Sequence, residues 1–120
     1  MSTRSNIIAK CRDGQYRGIY CHFDGYLTHN GRVLKEAYST QERVEKLINM
    51  GDASYLEEKF EDCVFYHRDR GEDLSIIGPY KALFDCFEAL SLQDYTYVWE
   101  DGTWKCFRWD KFKQLREFTV

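Results

Sequence analysis

Two Asp-Gly pairs, Asp13–Gly14 and Asp101–Gly102, constrain the fold of this chain more than any other feature of its sequence. An Asp-Gly pair between two short runs of strand character is typical of a two-residue hairpin turn, because both turn positions need a positive φ. The flanking runs predict four strands: Ser5–Arg12 with Gln15–His22, and Tyr95–Glu100 with Thr103–Trp109. The sequence therefore predicts one β-hairpin near each end of the chain.

A two-residue turn also fixes which residues face each other across a hairpin. In the second hairpin it gathers aromatic side chains on one face, which a helix or another chain has to cover. The predicted facing pairs are Ile7 with Tyr20 and Ile8 with Ile19 in the first hairpin, and Trp99 with Trp104, Tyr97 with Cys106 and Tyr95 with Arg108 in the second.

Helical patterning replaces alternation in the middle of the chain. Gly31–Tyr38 predicts a first helix, and the spacing of Ser39 and Glu42 is that of a capping box at the start of a second. Gly51 suits the left-handed residue that follows a helix. The second helix buries a stripe at helical spacing, formed by Val44, Leu47 and Ile48.

The remaining segments predict short elements and loops. They are a turn over Asp52–Leu56, strands over Cys63–Tyr66 and Leu74–Ile77, a polar loop over His67–Asp73, a helix that begins at Pro79 and carries Leu83, Phe84, Phe87 and Leu90 on one face, and a final helix over Asp110–Phe118. We therefore expect an α+β fold. Its mainly antiparallel sheet is built from two β-hairpins plus a central strand, with helices packed on one face.

Length and charge exclude several classes of protein. The 120 residues fit a single domain over 1–120. A net charge of −3 argues against duplex DNA as a partner, and no apolar run is long enough to span a membrane. The five Cys are odd in number and form no Cys-x-x-Cys pair, which is typical of buried thiols in a reducing compartment. We expect a cytoplasmic protein, and its exposed sheet edges favour a homo-oligomer.

The segment Tyr66–Glu72 is the first candidate for a ligand site, because its predicted loop follows a strand and combines opposite charges. The guanidinium groups of Arg68 and Arg70 can hold a phosphate or a carboxylate through paired hydrogen bonds, and Asp69 can orient both. The predicted ligand-binding set also contains Tyr66, His67 and Glu72. The alternative is an exposed turn held by salt bridges, with no ligand.

The end of the second predicted strand is the second candidate. Its predicted ligand-binding residues are His22, Phe23 and Tyr26. His22 and Asp24 have the chemistry of an acid–base pair, and Cys21 that of a nucleophile. Neighbouring strand residues point to opposite faces, so Cys21 and His22 are not expected to act together. The alternative is a strand end that simply turns, with partly buried aromatic side chains.

Neither a metal nor a cofactor is expected. Zinc sites use close ligand pairs, and that spacing is missing from the candidate ligands Cys21, His22, His29, Cys63 and His67. An aromatic ribbon could stack a nucleobase, but large aromatic side chains more often lie in a core or a subunit interface. The ribbon contains Trp99, Trp104 and Trp109.

Several blocks together resemble a widespread family of small phage and prophage proteins, and they cover most of the chain. The blocks are Met1–Ile7, Ile19–Tyr26, Asn30–Gly31, Glu42–Leu47, Gly51–Asp52, Tyr66–Glu72, Tyr95–Tyr97 and Asp101–Trp104. This chain departs from the family at Phe23, where many relatives have Trp, and between Leu56 and Cys63, where relatives often carry an insertion. The resemblance implies a phage-encoded protein of the bacterial cytoplasm, and small phage proteins of this size often counter host defences.

A looser resemblance, to the phage anti-Thoeris sponge proteins, implies a ligand of the cyclic nucleotide or ADP-ribose type. Under this hypothesis the protein sequesters an immune signal without catalysis. Arg68 and Arg70 would hold phosphates, and Tyr66, Phe23 or Tyr26 would stack the base.

Two alternatives stay open. One is a direct inhibitor of a host defence protein, comparable to an anti-CRISPR protein, which would use an acidic surface with exposed Tyr and Trp. The other is a small nucleotide hydrolase using His67, Asp69 and Glu72. No motif of catalytic spacing supports the hydrolase, so an enzyme is the less expected outcome.

Overall fold

The computed structural model describes residues 2–91, 93–109 and 115–120, and it has an α+β fold with one mixed, mostly antiparallel sheet. The strands are β1 (Ser5–Lys10), β2 (Tyr16–Cys21), β3 (Ala53–Tyr55), β4 (Val64–Phe65), β5 (Ile77–Tyr80), β6 (Tyr95–Glu100), β7 (Thr103–Trp109) and β8 (Leu115–Thr119). The α-helices are α1 (Arg32–Ala37), α2 (Gln41–Asn49), α3 (Tyr66–Arg70) and α4 (Leu83–Leu90). The sheet order is β4-β3-β2-β1-β6-β7-β8, and β5 also pairs with β2.

The first hairpin forms, but its predicted register is wrong by one residue. Ile7 faces Ile19, because Cys11 and Gln15 also pair beyond the ends of β1 and β2 and leave a loop of three residues, 12–14, instead of two. The N–H of Cys11 donates to the carbonyl of Gln15 at 2.8 Å, and Gly14 alone in the loop has a positive φ, of 82°. A three-residue loop that ends in one left-handed glycine is a common alternative to the two-residue turn.

The second hairpin forms with the predicted register. Asp101 and Gly102 both have positive φ, at 55° and 75°, as the two-residue turn requires. The confirmed pairs are Trp99 with Trp104 and Tyr97 with Cys106.

The two hairpins join at the centre of the sheet, where β1 and β6 pair in parallel. The central strand predicted over Cys63–Tyr66 is therefore misplaced. It is the two-residue strand β4, which pairs with β3 and lies at an edge of the sheet.

One face of the sheet is covered by α1 and α2. The buried stripe Val44, Leu47 and Ile48 is confirmed, and Gly51 has the expected left-handed φ of 81°. The cap of α2 is Thr40, whose hydroxyl accepts a hydrogen bond from the N–H of Arg43 at 3.3 Å; the capping box that begins at Ser39 is wrong.

The opposite face is covered by α4, so the expectation that all helices pack on one face is wrong. Alternation along β1 and β6 points Ile8 and Val98 to this second face, where they form a smaller buried cluster with Cys86 of α4. Phe84 points away from that cluster and is 64% exposed, although the sequence predicts it on the buried stripe.

The segment between residues 52 and 80 differs most from its prediction. The turn over Asp52–Leu56 is strand β3, the loop over His67–Asp73 begins as helix α3, and the strand predicted over Leu74–Ile77 lies further on, as β5. Pro79 lies within β5 and does not begin a helix; α4 starts at Leu83. These elements are short, so a few neighbouring contacts decide between helix and strand.

The final helix predicted over Asp110–Phe118 is wrong for residues 115–118, which belong to β8; residues 110–114 of that prediction lie outside the described residues. Strand β8 pairs antiparallel with β7 and forms an edge of the sheet. Among the described helices, none has the length and apolar character that a membrane crossing needs.

Candidate functional site

Helix α3 positions the first candidate segment. The chain leaves β4 at Phe65, whose N–H donates to the carboxylate of Asp69 at 2.8 Å, and this bond closes the first turn of the helix. Gly71 ends α3 in the left-handed conformation, with φ 69°. The polar residues of this segment are therefore displayed around one helical turn and not along a loop.

The side chain of Arg68 stabilises the fold through hydrogen bonds within the protein. Its Nε and Nη2 donate to the carboxylate of Asp69 at 2.8 and 2.9 Å. Its Nη1 donates to the carbonyl of Phe60 and its Nη2 also to that of Cys63, both at 2.8 Å. The guanidinium of Arg68 and the N–H of Phe65 hold the pKa of Asp69 below its ordinary value. All three guanidinium nitrogens thus have partners within the chain.

The guanidinium of Arg70 lies over the ring of Tyr66, away from the partners of Arg68. Its guanidinium carbon is 5.0 Å from the centre of the Tyr66 ring. Residues two apart on a helix do not face each other, so Arg70 and Arg68 point to different sides of α3. The structure does not bring the two groups together as a phosphate clamp, and Asp69 orients Arg68 alone.

A cleft of about 510 Å³ lies beside α3, and its polar groups are mainly acidic. His67 is not among the residues that line the cleft, and its Nδ1 donates to the backbone carbonyl of Glu72 at 2.8 Å. Burial raises the pKa of Asp52, although hydrogen bonds from the N–H of Tyr20 and from Ser75 oppose that rise. The residues that line the cleft are Asp52, Tyr66, Gly71, Glu72, Asp73 and Ser75.

The second candidate lies next to this cleft. The hydroxyl of Tyr20 and Nδ1 of His22 are 2.7 Å apart, and the N–H of Tyr20 donates to Asp52 at 2.9 Å. His22 in turn packs edge-on against Phe23, with ring centres 4.5 Å apart. Contacts through Tyr20 therefore connect the cleft to His22 and Phe23.

Three exposed aromatic side chains surround this end of β2 and β3. Phe23, Tyr26 and Tyr55 are 43%, 37% and 36% exposed. Together with His22 and His29 they form what we name the aromatic surface.

Backbone contacts hold the aromatic surface together around β3. The N–H of Phe23 donates to the carbonyl of Ser54 at 2.8 Å, and His29 donates from Nε2 to the carbonyl of Leu56 at 3.1 Å. These two bonds flank Tyr55. The ring of Tyr26 is 6.3 Å from that of His29, so the aromatic surface contains two ring pairs, Tyr26 with His29 and His22 with Phe23.

Sequence reasoning proposed His22, Phe23 and Tyr26 as site residues but missed Tyr55 and Asp52. Both lie in the segment predicted as a turn. The run Ala53-Ser54-Tyr55-Leu56 has no strict alternation of apolar and polar residues, so it gave no strand signal. In the structure β3 places Tyr55 beside the end of β2.

The geometry does not favour catalysis. Cys21 is fully buried, and burial raises the pKa of its thiol to about 12. The carboxylate of Asp69 is bonded to Arg68, and His67 bonds to a backbone carbonyl, so the predicted hydrolase residues do not form an acid–base pair. Within the described residues, no group of three or more His, Cys, Asp or Glu side chains could hold a metal ion.

The aromatic ribbon of the second hairpin belongs to the core. Trp99 and Trp104 are buried, and their indole N–H groups donate to Gln41 at 2.7 Å and to the carbonyl of Tyr38 at 2.8 Å. Neither ring is placed to stack a base. The side chain of Trp109 lies outside the described part of the chain.

A larger cleft, of about 640 Å³, lies on another surface and has no net charge. Arg43 lines it but already donates to the carbonyls of Ala37 and Glu58. Three basic and three acidic residues surround one ring there: Arg43, Lys46, Lys59, Glu58, Glu61, Asp62 and Phe60. The balance of charge gives this cleft no preference for an anion or a cation.

Comparison with known proteins adds no relative. No protein-family model matches the chain, and no curated protein and no solved structure is similar to it. The resemblance to phage and prophage proteins stays a prediction, and the function has to be argued from the site.

Proposed function

We propose that this protein is a non-catalytic binding protein that engages another protein through its aromatic surface and the adjacent acidic cleft. The observation that supports the proposal is the exposure of Phe23, Tyr26 and Tyr55. Contacts through Tyr20 and His22 connect Phe23 to Asp52 in the acidic cleft. Exposed aromatic rings are enriched at protein interfaces, where they bury a large area at a low entropic cost.

The charges around these rings favour a basic partner. Asp52, Glu72 and Asp73 line the cleft, and the carboxylate of Asp24 accepts a hydrogen bond from the hydroxyl of Tyr26 at 3.3 Å. One cation, Arg70, lies over the ring of Tyr66, which lines the cleft. A partner that presents Lys or Arg side chains around an apolar centre would complement this surface.

The resemblance to phage proteins supplies the biological setting of the proposal. The partner would be a host defence protein in the bacterial cytoplasm, and binding would block it directly. Sequestration of a nucleotide is the weaker candidate at this site, because an anionic ligand in the cleft would meet the carboxylates of Asp52, Glu72 and Asp73.

A capture experiment with matched variants tests the proposal. The full chain is immobilised, and bacterial proteins that bind it are quantified for the wild type, for Phe23→Ala/Tyr55→Ala and for Phe84→Ala. Phe84 is a more exposed ring, 64% accessible, on α4 at the opposite face of the sheet. We expect one partner to bind the wild type and Phe84→Ala, to be lost from the double variant, and to dissociate as salt is raised.

The same proteins are titrated with cyclic ADP-ribose and cyclic dinucleotides in a calorimeter. Saturable heat that disappears in Arg70→Ala would favour nucleotide sequestration over a protein partner. A protein that binds the double variant as well as the wild type would exclude the aromatic surface as the interface.

A further inference from the structure

The cleft of about 640 Å³ is lined by two segments of opposite charge. Helix α2 contributes Arg43 and Lys46, which are three positions apart and therefore lie on one face of the helix. The other lining residues are 58–62, and this segment carries three acids and one lysine. The part of the lining that belongs to α2 is thus positive, and the part that belongs to 58–62 is negative overall.

The ring of Phe60 connects the two segments. It belongs to the main core, where it packs edge-on against Tyr38, and it begins a 3-10 helix that ends at Asp62. The Nζ of Lys46 lies 4.5 Å from the centre of the Phe60 ring, and the guanidinium carbon of Arg43 lies 5.1 Å from it. Because a ring face attracts a cation, Phe60 keeps both positive groups at this cleft.

Most charges of the cleft have no ion pair. In the described ranges 2–91, 93–109 and 115–120, none is formed by four of the charged residues that line it, Lys46, Lys59, Glu61 and Asp62. Glu58 does pair, with Arg32 at 3.4 Å. Arg43 donates from Nε and Nη2 to backbone carbonyls, which leaves Nη1 for another acceptor. Charges of both signs are therefore available to a ligand.

We propose that this cleft binds a short peptide, whose terminal carboxylate contacts Arg43 and Lys46 and whose terminal ammonium contacts Glu61 and Asp62. Guanidinium and ammonium groups donate strong hydrogen bonds to a carboxylate, and the two acids accept them from an ammonium. The lining has three basic and three acidic residues, so a ligand of one charge meets repulsion as well as attraction. A ligand with one charge at each end gains from both segments.

The volume of the cleft favours two or three amino-acid residues over one. Ligand sites of about 300–1,000 Å³ hold molecules of drug size, and a tripeptide is of that size. The single ring of the lining, that of Phe60, is only 9% exposed, so the cleft offers little apolar surface to a large side chain. The cleft shares no residue with the aromatic surface, and the proposal stands independently of the protein partner proposed above.

The test is a titration of the full chain with four probes, followed by nuclear magnetic resonance of the backbone amides. Trialanine carries both charges, N-acetyl-trialanine only the carboxylate, trialanine amide only the ammonium, and alanine both charges without the length. We expect saturable binding of trialanine, with shifts of the amides of α2 and of residues 58–62. Each capped peptide should bind about tenfold or more weakly, because it loses one set of charge-assisted hydrogen bonds, and alanine should bind more weakly than trialanine.

Matched variants show whether trialanine binds in this cleft. Lys46→Gln and the double variant Glu61→Gln/Asp62→Asn each remove exposed charge from one segment, so both should keep the fold and bind trialanine about tenfold less tightly. Lys35→Gln is the control, because Lys35 is an exposed lysine of α1 that does not line the cleft, and it should bind as the wild type does. Absence of saturable trialanine binding, equal binding of a capped peptide or of alanine, or undiminished binding to either cleft variant would overturn the proposal.

Discussion

At the scale of single residues, the arginines of this protein differ in role because they differ in partners. Arg68 is held by Asp69 and by two backbone carbonyls, Arg70 lies over the Tyr66 ring, and Arg108 lies over the Tyr95 ring. The sequence shows only that Arg68 and Arg70 are two positions apart. Whether such a residue supports the fold or binds a ligand depends on whether its donors already have acceptors within the protein.

Replacement of Arg68 by Ala is predicted to destabilise the fold and not to act through a ligand. The carbonyls of Phe60 and Cys63 lose their donor, and the free energy of unfolding should fall by roughly 1–3 kcal/mol. Urea unfolding measures this difference. Arg70→Ala is the control, with an expected change within about 0.5 kcal/mol because Arg70 is exposed. Equal losses in the two variants would contradict the assignment.

Asp52 is predicted to make stability depend on pH. Because burial raises its pKa in the folded state above the ordinary value of 3.8, its favourable contribution is complete below 3.8 and is lost as the pH rises through the raised pKa. Asp52→Asn stays neutral and can still accept from the N–H of Tyr20. We expect unfolding free energies of wild type and variant, measured in urea from acid to neutral pH, to diverge in favour of the variant as the pH rises. A constant difference would argue against a buried titrating carboxylate.

At the scale of elements, short polar contacts decide where helices begin. Ser39 and Thr40 are adjacent and both suit a helix cap, and the capping-box spacing of Ser39 with Glu42 favoured the wrong one. In the structure the Thr40 hydroxyl accepts from the N–H of Arg43, and α2 begins at Gln41. This one-residue offset turns the expected capping box into a single cap.

Thr40→Ala is therefore predicted to lower the free energy of unfolding by about 1 kcal/mol, and Ser39→Ala to leave it nearly unchanged. Thermal or urea unfolding of the two variants gives the comparison. A larger effect at Ser39 would place the start of α2 one residue earlier than the structure does.

Sequence predicted the elements that carry long, regular signals. The second hairpin and the buried stripe of α2 were foreseen because turn chemistry or helical spacing specifies them locally. The first hairpin was wrong in register because Asp13 uses its carboxylate to accept from the N–H of Gln15 and from Arg17, which suits a three-residue loop.

The candidate site was predicted only in part, because some of its residues lie in an element too short to give a regular sequence pattern. His22, Phe23 and Tyr26 follow a recognisable strand, but Tyr55 and Asp52 reach the site through β3, which has three residues. The roles of Arg68 and Arg70 depend on carbonyls and rings that the fold brings close to them. The spacing of the two residues along the chain does not indicate these contacts.

At the scale of the whole molecule, the parallel pair β1·β6 joins the two ends of the chain. Ile7 of the first hairpin lies opposite Tyr97 of the second, and both belong to the main core with Trp99 and Trp104. No local pattern predicts this pair, because its partners are some ninety positions apart, as Ile7 and Tyr97 are. It makes the two hairpins one sheet, so neither should unfold alone.

Ile7→Ala tests that coupling. Ile7 is fully buried, and its truncation should lower the free energy of unfolding by about 2–5 kcal/mol. Trp99 and Trp104 report on the second hairpin by fluorescence, whereas far-ultraviolet circular dichroism reports on all elements. Because the core is shared, we expect both signals to give the same urea midpoint and both midpoints to fall together in Ile7→Ala. In the exposed control Phe84→Ala, the free energy of unfolding should change by no more than about 0.5 kcal/mol. A tryptophan midpoint that stays in place while the dichroism midpoint falls would mean that the hairpins unfold separately, and that β1·β6 does not couple them.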